Sequence, residues 1–211
     1  MVIATSEGIK KELIEIRPQI DPDCILVKPN AIDVERFPAL ERSEPEAGAP
    51  FRLACACRIK PKKGLLHLVE AVHLLQRRGL QEELHPVGDA DEWSQESRDY
   101  KGALDQRISD LDLWGTAHLN GQQNKEGVRR FLNIGHLFIA PFVETETGDK
   151  DGIPTALLES MATGLPAVAA NAGSIAEVID DGQDEVFVPQ RDPGALANAI
   201  EALLREPGRR R

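Results

Sequence analysis

The order in which apolar residues recur is what most constrains this chain. Short apolar runs alternate with longer segments whose apolar residues return at helical spacing. Residues 2–5, 24–28, 51–57, 84–87, 117–119, 137–140, 167–170 and 186–188 read as strands. Residues 7–16, 64–78, 93–113, 125–133, 154–163, 175–179 and 193–205 read as helices. Strand followed by helix throughout implies an α/β fold, a Rossmann-like parallel sheet with helices on both faces. In such a sheet ligands bind beyond the carboxyl ends of the strands, so the loops after strands are where chemistry is sought.

Ser6 and Asp192 suit helix N-caps, and Gly79 suits a helix stop. Residues 41–50, rich in Glu, Pro, Ala and Gly, read as a linker. They divide a first segment, residues 1–40, from a main unit, residues 51–211. No internal repeat or low-complexity tract is visible.

Charge narrows the partners. The formal net charge is −10 and aromatic residues make up only 4%. Long-range repulsion from phosphates and the lack of stacking platforms argue against nucleic acid as a partner. Any bound phosphate must be held by a local cluster of donors. The Arg209-Arg210-Arg211 tail reads as a frayed end. Cys24, Cys55 and Cys57 are odd in number and irregular in spacing, which is no disulfide framework; Cys55 and Cys57 should point to one face of a strand as small buried hydrophobes. The five histidines show no ligand pairing, and no metal is expected. No apolar stretch reaches the length of a membrane span. The start, apolar first and lysines after, is the reverse of a signal peptide. Together these predict a cytoplasmic protein.

One post-strand loop, Arg58-Ile59-Lys60-Pro61-Lys62-Lys63-Gly64, sets four cations between a strand end and a helix start. Free N–H groups at a helix N-terminus and forked or point cations make an anion site; a solvated basic turn would look the same. A second, Asp151-Gly152-Ile153-Pro154-Thr155-Ala156-Leu157-Leu158-Glu159, opens a helix. Pro154 suits its first position, Gly152 allows close backbone approach, and the turn's N–H groups could cradle a diphosphate. Glu159 could take both hydroxyls of a ribose cis-diol, and Asp151 a sugar hydroxyl. The alternative makes Asp151 a partner of the helix dipole and Glu159 part of a solvated face. Gly88-Asp89 and Asn120-Gly121-Gln122 also follow strands, and each reads equally as a plain turn.

These pieces together resemble glycosyltransferase family 4, retaining enzymes of two-domain GT-B architecture that use nucleoside-diphosphate sugars. Pro29-Asn30-Ala31-Ile32-Asp33 with Phe37 is similar to the family's segment at the interdomain crossing. Arg58 and Lys63-Gly64 match its arginine and lysine-glycine signature, and Asp151 and Glu159 its pair of acidic residues eight apart, with aspartate in the place of the first glutamate. Met161 to Pro166 and Asp180-Asp181-Gly182 continue the match.

The resemblance implies that Arg58 and Lys63 hold the donor diphosphate, that Glu159 binds the ribose, and that Asp151 contacts the donor sugar. Arg58, Lys63 and Asp151 would be catalytic. Gly88, Gly121, Gly152, Ile153, Pro154 and Thr155 would complete donor binding. It implies transfer of a hexosyl group to a hydroxyl in polysaccharide or glycoconjugate synthesis, with no cofactor and no metal. Residues 1–40 would be the remnant of an N-terminal domain and its crossing, and residues 51–211 the donor-binding domain. The acceptor-binding N-terminal domain would be absent from this chain, and the parent could associate peripherally with a membrane. A non-catalytic nucleotide-sugar-binding module, or one half of a nucleotide-sugar epimerase, would share the same residues.

Overall fold

The structure, a computed structural model, describes residues 1–179 and 185–206. Asp180-Asp181-Gly182 and the Arg209–Arg211 tail lie outside the described residues.

The main unit is a five-stranded sheet built from β3 (Phe51–Ala56), β4 (Glu82–Val87), β5 (Leu137–Ala140), β6 (Ala167–Ala170) and β7 (Glu185–Val188). All pairings are parallel and the order is β4-β3-β5-β6-β7. The chain runs outward from β3 to β4, then returns to the other side of β3 as β5. The order therefore reverses between β3 and β5, where an open α/β sheet forms its ligand crevice.

Helices cover both faces. On one side α2 (Leu65–Arg77), α3 (Gln95–Asp110) and α6 (Pro193–Arg205) pack over Leu53, Leu84, Leu137, Ile139 and Val168. On the other α4 (Lys125–Ile134) and α5 (Thr155–Ala162) pack over Ala54, Phe138, Ala140 and Ala167. Successive side chains of a strand point to opposite faces, so a strand buried on both, such as β5, must be apolar at every position; all four of its residues are buried.

Capping follows the sequence where short polar side chains precede a helix. Asp192 Oδ1 accepts from the Ala195 N–H at 2.8 Å and Ser6 Oγ from the Ile9 N–H at 3.1 Å. Several boundaries move inward from the sequence-based ones. Residues 117–119 form no strand but a single parallel bridge, Ala117 to Leu84, along the outer edge of β4. Pro154 is the N-cap of α5, with helix from Thr155. Residues 175–177 make only a 3₁₀ turn.

The first segment forms a small parallel sheet of its own, β1 (Val2–Ala4) and β2 (Ile25–Val27), crossed by α1 (Glu7–Ile16). It is fastened to the main unit at the N-terminus of α1. The Glu7 and Gly8 N–H groups both donate to the Glu177 carboxylate at 2.8 Å, and Ser6 Oγ lies 2.7 Å from Ser174 Oγ. Burial opposes ionisation of Glu177, but the bonds from Gly8 and Glu7 outweigh it and lower its pKa.

Residues 41–50 have no secondary structure, yet they are not loose. The Arg42 guanidinium donates to the carbonyls of Leu132, Asn133 and Gly135 at 2.8–3.2 Å and to Thr163 O at 2.9 Å. These carbonyls lie at the ends of α4 and α5, where intrahelical donors run out, and Thr163 O also accepts from the Leu40 N–H at 3.2 Å. Phe37 is buried in the core on the same side. Within this stretch the half-buried Arg42 is the fastening point.

Candidate functional site

The loop after β3 first bridges back to the loop after β4. The Cys57 N–H donates to Val87 O at 2.9 Å and the Ile59 N–H to Asp89 O at 3.0 Å. Gly88 sits at φ 133°, and a Cβ there would lie 1.9 Å from Cys57 O. Only glycine permits that crossing. The Gly88 N–H in turn donates to Gly121 O at 2.8 Å, which joins the third loop.

Residues Pro61–Lys63 then form one 3₁₀ turn, closed by Gly64 at φ 63°. A Cβ on Gly64 would lie 1.8 Å from the carbonyl oxygen of Pro141, the residue after β5. The Val143 N–H donates to Lys62 O at 2.9 Å. The two loops flanking the reversal are thus in backbone contact.

The lysines face the second loop. Lys62 Nζ lies 2.9 Å from Asp149 Oδ1 and 3.5 Å from Asp151 Oδ1. Burial works against the Lys62 ammonium, but the hydrogen bond to Asp149 and the nearby Asp151 charge outweigh it and raise its pKa. Lys63 Nζ donates to Asp151 Oδ2 and lies 4.4 Å from the centroid of the Phe142 ring. Asp151 is thus a partner of both lysines, and the basic segment is not a free solvated turn. The N-terminus of α2 is less open than its sequence implies, because the Leu66 N–H donates to Tyr100 Oη at 3.1 Å. Burial of that hydroxyl pushes its pKa up to about 12.

Beside these loops lies a cleft of about 840 Å³ at the carboxyl ends of β3 and β4. Of the residues named in the sequence reading, Arg58, Gly88, Thr155 and Glu159 line it. Lys63, Asp151, Gly121, Ile153 and Pro154 are not among the residues that line it. Gly152 faces the first segment instead: a Cβ there would meet Thr5 Oγ1 at 3.3 Å. Arg58 is exposed and makes no side-chain hydrogen bond or ion pair among the described residues, so its fork is available. Glu159 is only 6% exposed, which rules out a solvated face. Its sole ion pair among the described residues is with Lys125 Nζ at 3.4 Å. Thr155 and Ala156, at the start of α5, bring N–H groups with no intrahelical acceptor to the same wall.

Several lining residues fall outside the set that the sequence reading assigned to donor binding. Lys125 opens α4 behind its Asn124 cap, Cys57 shares the wall with Arg58, and Gln122 follows Gly121. Trp93, at 92% the most exposed aromatic of the wall, follows the Gly88-Asp89 turn, and a tryptophan in a post-strand loop was the available signal. The Cys55 and Cys57 sulfurs do share a face, 3.8 Å apart.

The expectation for the histidines needs correction. His85 and His118 stack with ring centroids 5.0 Å apart. Their sequence separation hides the pairing, because it arises from the edge segment lying beside β4.

Comparison with known proteins agrees with this architecture. Residues 50–206 match the family model described as glycosyl transferases group 1. The amylovoran biosynthesis glycosyltransferase AmsK of Erwinia amylovora is 33% identical over 154 residues, 73% of this chain and 36% of that protein. The putative colanic acid biosynthesis glycosyltransferase WcaL of Salmonella typhimurium is 29% identical over 184 residues, 87% of this chain and 43% of that protein. The chain thus spans less than half the length of these relatives. Among solved structures, Anabaena Alr3699/HepE in complex with UDP and glucose superposes with a TM-score of 0.82 at 21% identity, covering 99% of this chain and 54% of that one. With the family match running over the whole five-stranded unit and its cleft, the chain belongs to the glycosyl transferases group 1 family.

Proposed function

We propose that this chain is the donor-binding domain of a retaining glycosyltransferase that moves a hexosyl group from a nucleoside-diphosphate sugar to a hydroxyl, in polysaccharide or glycoconjugate synthesis. The finer assignment is glycosyltransferase family 4. One observation carries it: an unpaired arginine and a buried carboxylate line one cleft at the sheet's reversal point. Arg58 supplies a fork for phosphate oxygens. Glu159 offers a low-water acceptor for a ribose diol. The start of α5 adds free N–H groups that suit an anion.

In this reading Lys63 assists Arg58 on the diphosphate, and Asp151 meets the sugar. Transfer breaks the bond between the anomeric carbon and the diphosphate oxygen, and the acceptor oxygen takes that carbon on the same face while its proton passes to the departing diphosphate oxygen. Negative charge grows on the leaving phosphate, and preorganised Arg58 and Lys63 stabilise it. No metal is required, because these cations take its electrostatic role. That HepE was solved with UDP supports a nucleoside diphosphate as ligand.

Residues 1–40 belong, on this proposal, to an N-terminal acceptor-binding domain, and residues 41–50 join the two. The exposed Ile3 and Leu26 of the small sheet support that, since two strands alone are marginal in water. The parent works in the cytoplasm, and no helix among the described residues is long and apolar enough to cross a membrane. The chain alone binds donor without transferring it.

Calorimetry against a panel of nucleoside diphosphates tests the proposal. Saturable binding of at least one, weakened tenfold or more in Arg58→Ala, is expected. Absence of binding across the panel, or an affinity indifferent to Arg58, overturns it.

A further inference from the structure

β4 carries a second cluster, away from the wall of the cleft. Leu84 points into the core under α2, so its neighbours Glu83 and His85 face the other side of the sheet, toward α4. Phe131 of α4 lies 6.4 Å from the His85 ring. The edge segment brings His118 to the same place. Its N–H donates to Leu84 O at 2.8 Å, and Ala117 is the bridge partner of Leu84. His118 therefore sits beside His85, on the edge segment that runs along β4. Asn120 holds the segment to β4, its backbone N–H and its side-chain amide donating to Pro86 O at 3.0 and 3.3 Å.

The three side chains converge. His85 Nε2 is 3.2 Å from Glu83 Oε2, the imidazoles stack at 28°, and one ligand atom from each residue lies within 4.8 Å of the others. Among the described residues this is the single such grouping of His, Cys and acidic side chains. All three residues are half-buried.

We propose that Glu83, His85 and His118 bind one first-row transition dication per chain, with Zn²⁺ as the best-suited ion. Two imidazoles and one carboxylate are a borderline-soft donor set that suits zinc, nickel or copper. Magnesium and calcium prefer all-oxygen shells. Ligand bonds of about 2.0–2.2 Å require the two rings to turn slightly inward, and the fourth position is left to water. Arg52, the register partner of Glu83 on β3, opposes a cation here, so the affinity is micromolar rather than tighter. The ion would clip the edge segment to β4, whose far end continues into the cleft wall at Val87 to Trp93. None of the three ligands lines that cleft, so this site is independent of the donor.

Titration of the metal-stripped chain with ZnCl₂ by calorimetry, with MgCl₂ as control, tests this. One Zn²⁺ per chain and no response to Mg²⁺ are expected, with a Tm rise of about 5–10 °C at roughly hundredfold excess over Kd. His118→Ala should weaken Zn²⁺ tenfold or more and abolish the Tm rise. Glu83→Gln, a change on a part-exposed side chain that leaves the fold intact, should weaken it by a comparable factor. Cys24→Ala should bind as the native chain does. No saturable Zn²⁺ binding, or native affinity in both the His118 and Glu83 variants, overturns the site.

Discussion

Lys63 donates to Asp151, and that ion pair joins the loop after β3 to the loop after β5 where the sheet order reverses. Both side chains are mostly out of water, 14% and 17% exposed. The pair therefore sets how much of the Lys63 charge an incoming anion can use. Asp151→Asn should leave nucleoside-diphosphate affinity unchanged or raise it severalfold, because it removes a negative charge beside the phosphates. The same change should depress sugar transfer by the intact parent. Lys63→Ala should weaken the diphosphate about tenfold or more, as charged hydrogen bonds contribute roughly 1.5–3 kcal/mol. Calorimetry reads the first and third effects, and nucleotide release reads the second; a parallel fall of affinity in both variants would contradict the assignment.

Glu159 and Lys125 separate a ribose contact from a simple ion pair. Lys125 is 63% exposed and 3.4 Å from Glu159 Oε1, so the pair itself contributes little. Lys125→Ala should change nucleotide affinity less than about threefold, whereas Glu159→Ala should cost about tenfold, the range of a charged hydrogen bond. A 2′,3′-dideoxy nucleoside diphosphate should bind the native chain about as weakly as the ordinary ligand binds Glu159→Ala. If the variant still discriminates the two ligands, Glu159 is not the ribose acceptor.

Much of this was legible in the residue order, for a physical reason. Parallel strands buried on both faces have to be nearly all apolar, so β5 and β6 stand out, and glycine and proline mark the loops between them. The Arg58 to Gly64 and Asp151 to Glu159 segments could therefore be placed at strand ends. What stayed hidden depends on which distant segments meet. Lys125 reaches Glu159 only because α4 and α5 cover the same face. His118 reaches His85 only because residues 116–120 lie along β4. Pairings of this kind leave no periodicity.

Arg42 closes two helices at once, and its loss should be felt in stability. It satisfies carbonyls at the ends of α4 and α5 and donates to Thr163 Oγ1 at 2.8 Å. Burial brings its pKa down to about 10, and it remains charged at neutral pH. Arg42→Ala should cost about 3 kcal/mol, or roughly 6–12 °C in Tm. Arg42→Lys should recover only part, because a single ammonium cannot fork onto both helix ends. A Tm change below about 2 °C in Arg42→Ala would show that water replaces the guanidinium without loss.

Glu82 should make stability depend on pH. Both of its carboxylate oxygens are buried without a hydrogen-bond partner, and burial pushes its pKa from the ordinary 4.5 to about 7. The folded value lies above the unfolded one. Below pH 4.5 both states keep the proton and nothing is lost. Between 4.5 and 7 the unfolded chain releases a proton that the folded chain retains, so stability falls as pH rises. Above pH 7 the loss is complete, at about 3 kcal/mol. Glu82→Gln should therefore melt higher than the native chain at pH 8, and the gap should close toward pH 5 when Tm is followed across that range.

Chelation should leave the donor site untouched. On the proposed reading Arg58 and Lys63 provide the positive charge there, so nucleoside-diphosphate affinity should stay within about twofold in EDTA and gain nothing from Mg²⁺ or Mn²⁺. Binding lost in EDTA and restored by Mg²⁺ would falsify the metal-independent reading.

Gly64 and Gly88 press bare backbone against the carbonyls of Pro141 and Cys57, closer than any side chain would allow. Loops fixed this way cannot re-aim by flexing, since the crossing points are held by atoms every residue has. Divergence among chains of this build would then be channelled into what projects between the crossings: Arg58, Trp93, Gln122, Lys125. The cleft's ligand preference could be altered by exchanging those side chains one at a time, while an alanine at either glycine would unseat two loops together.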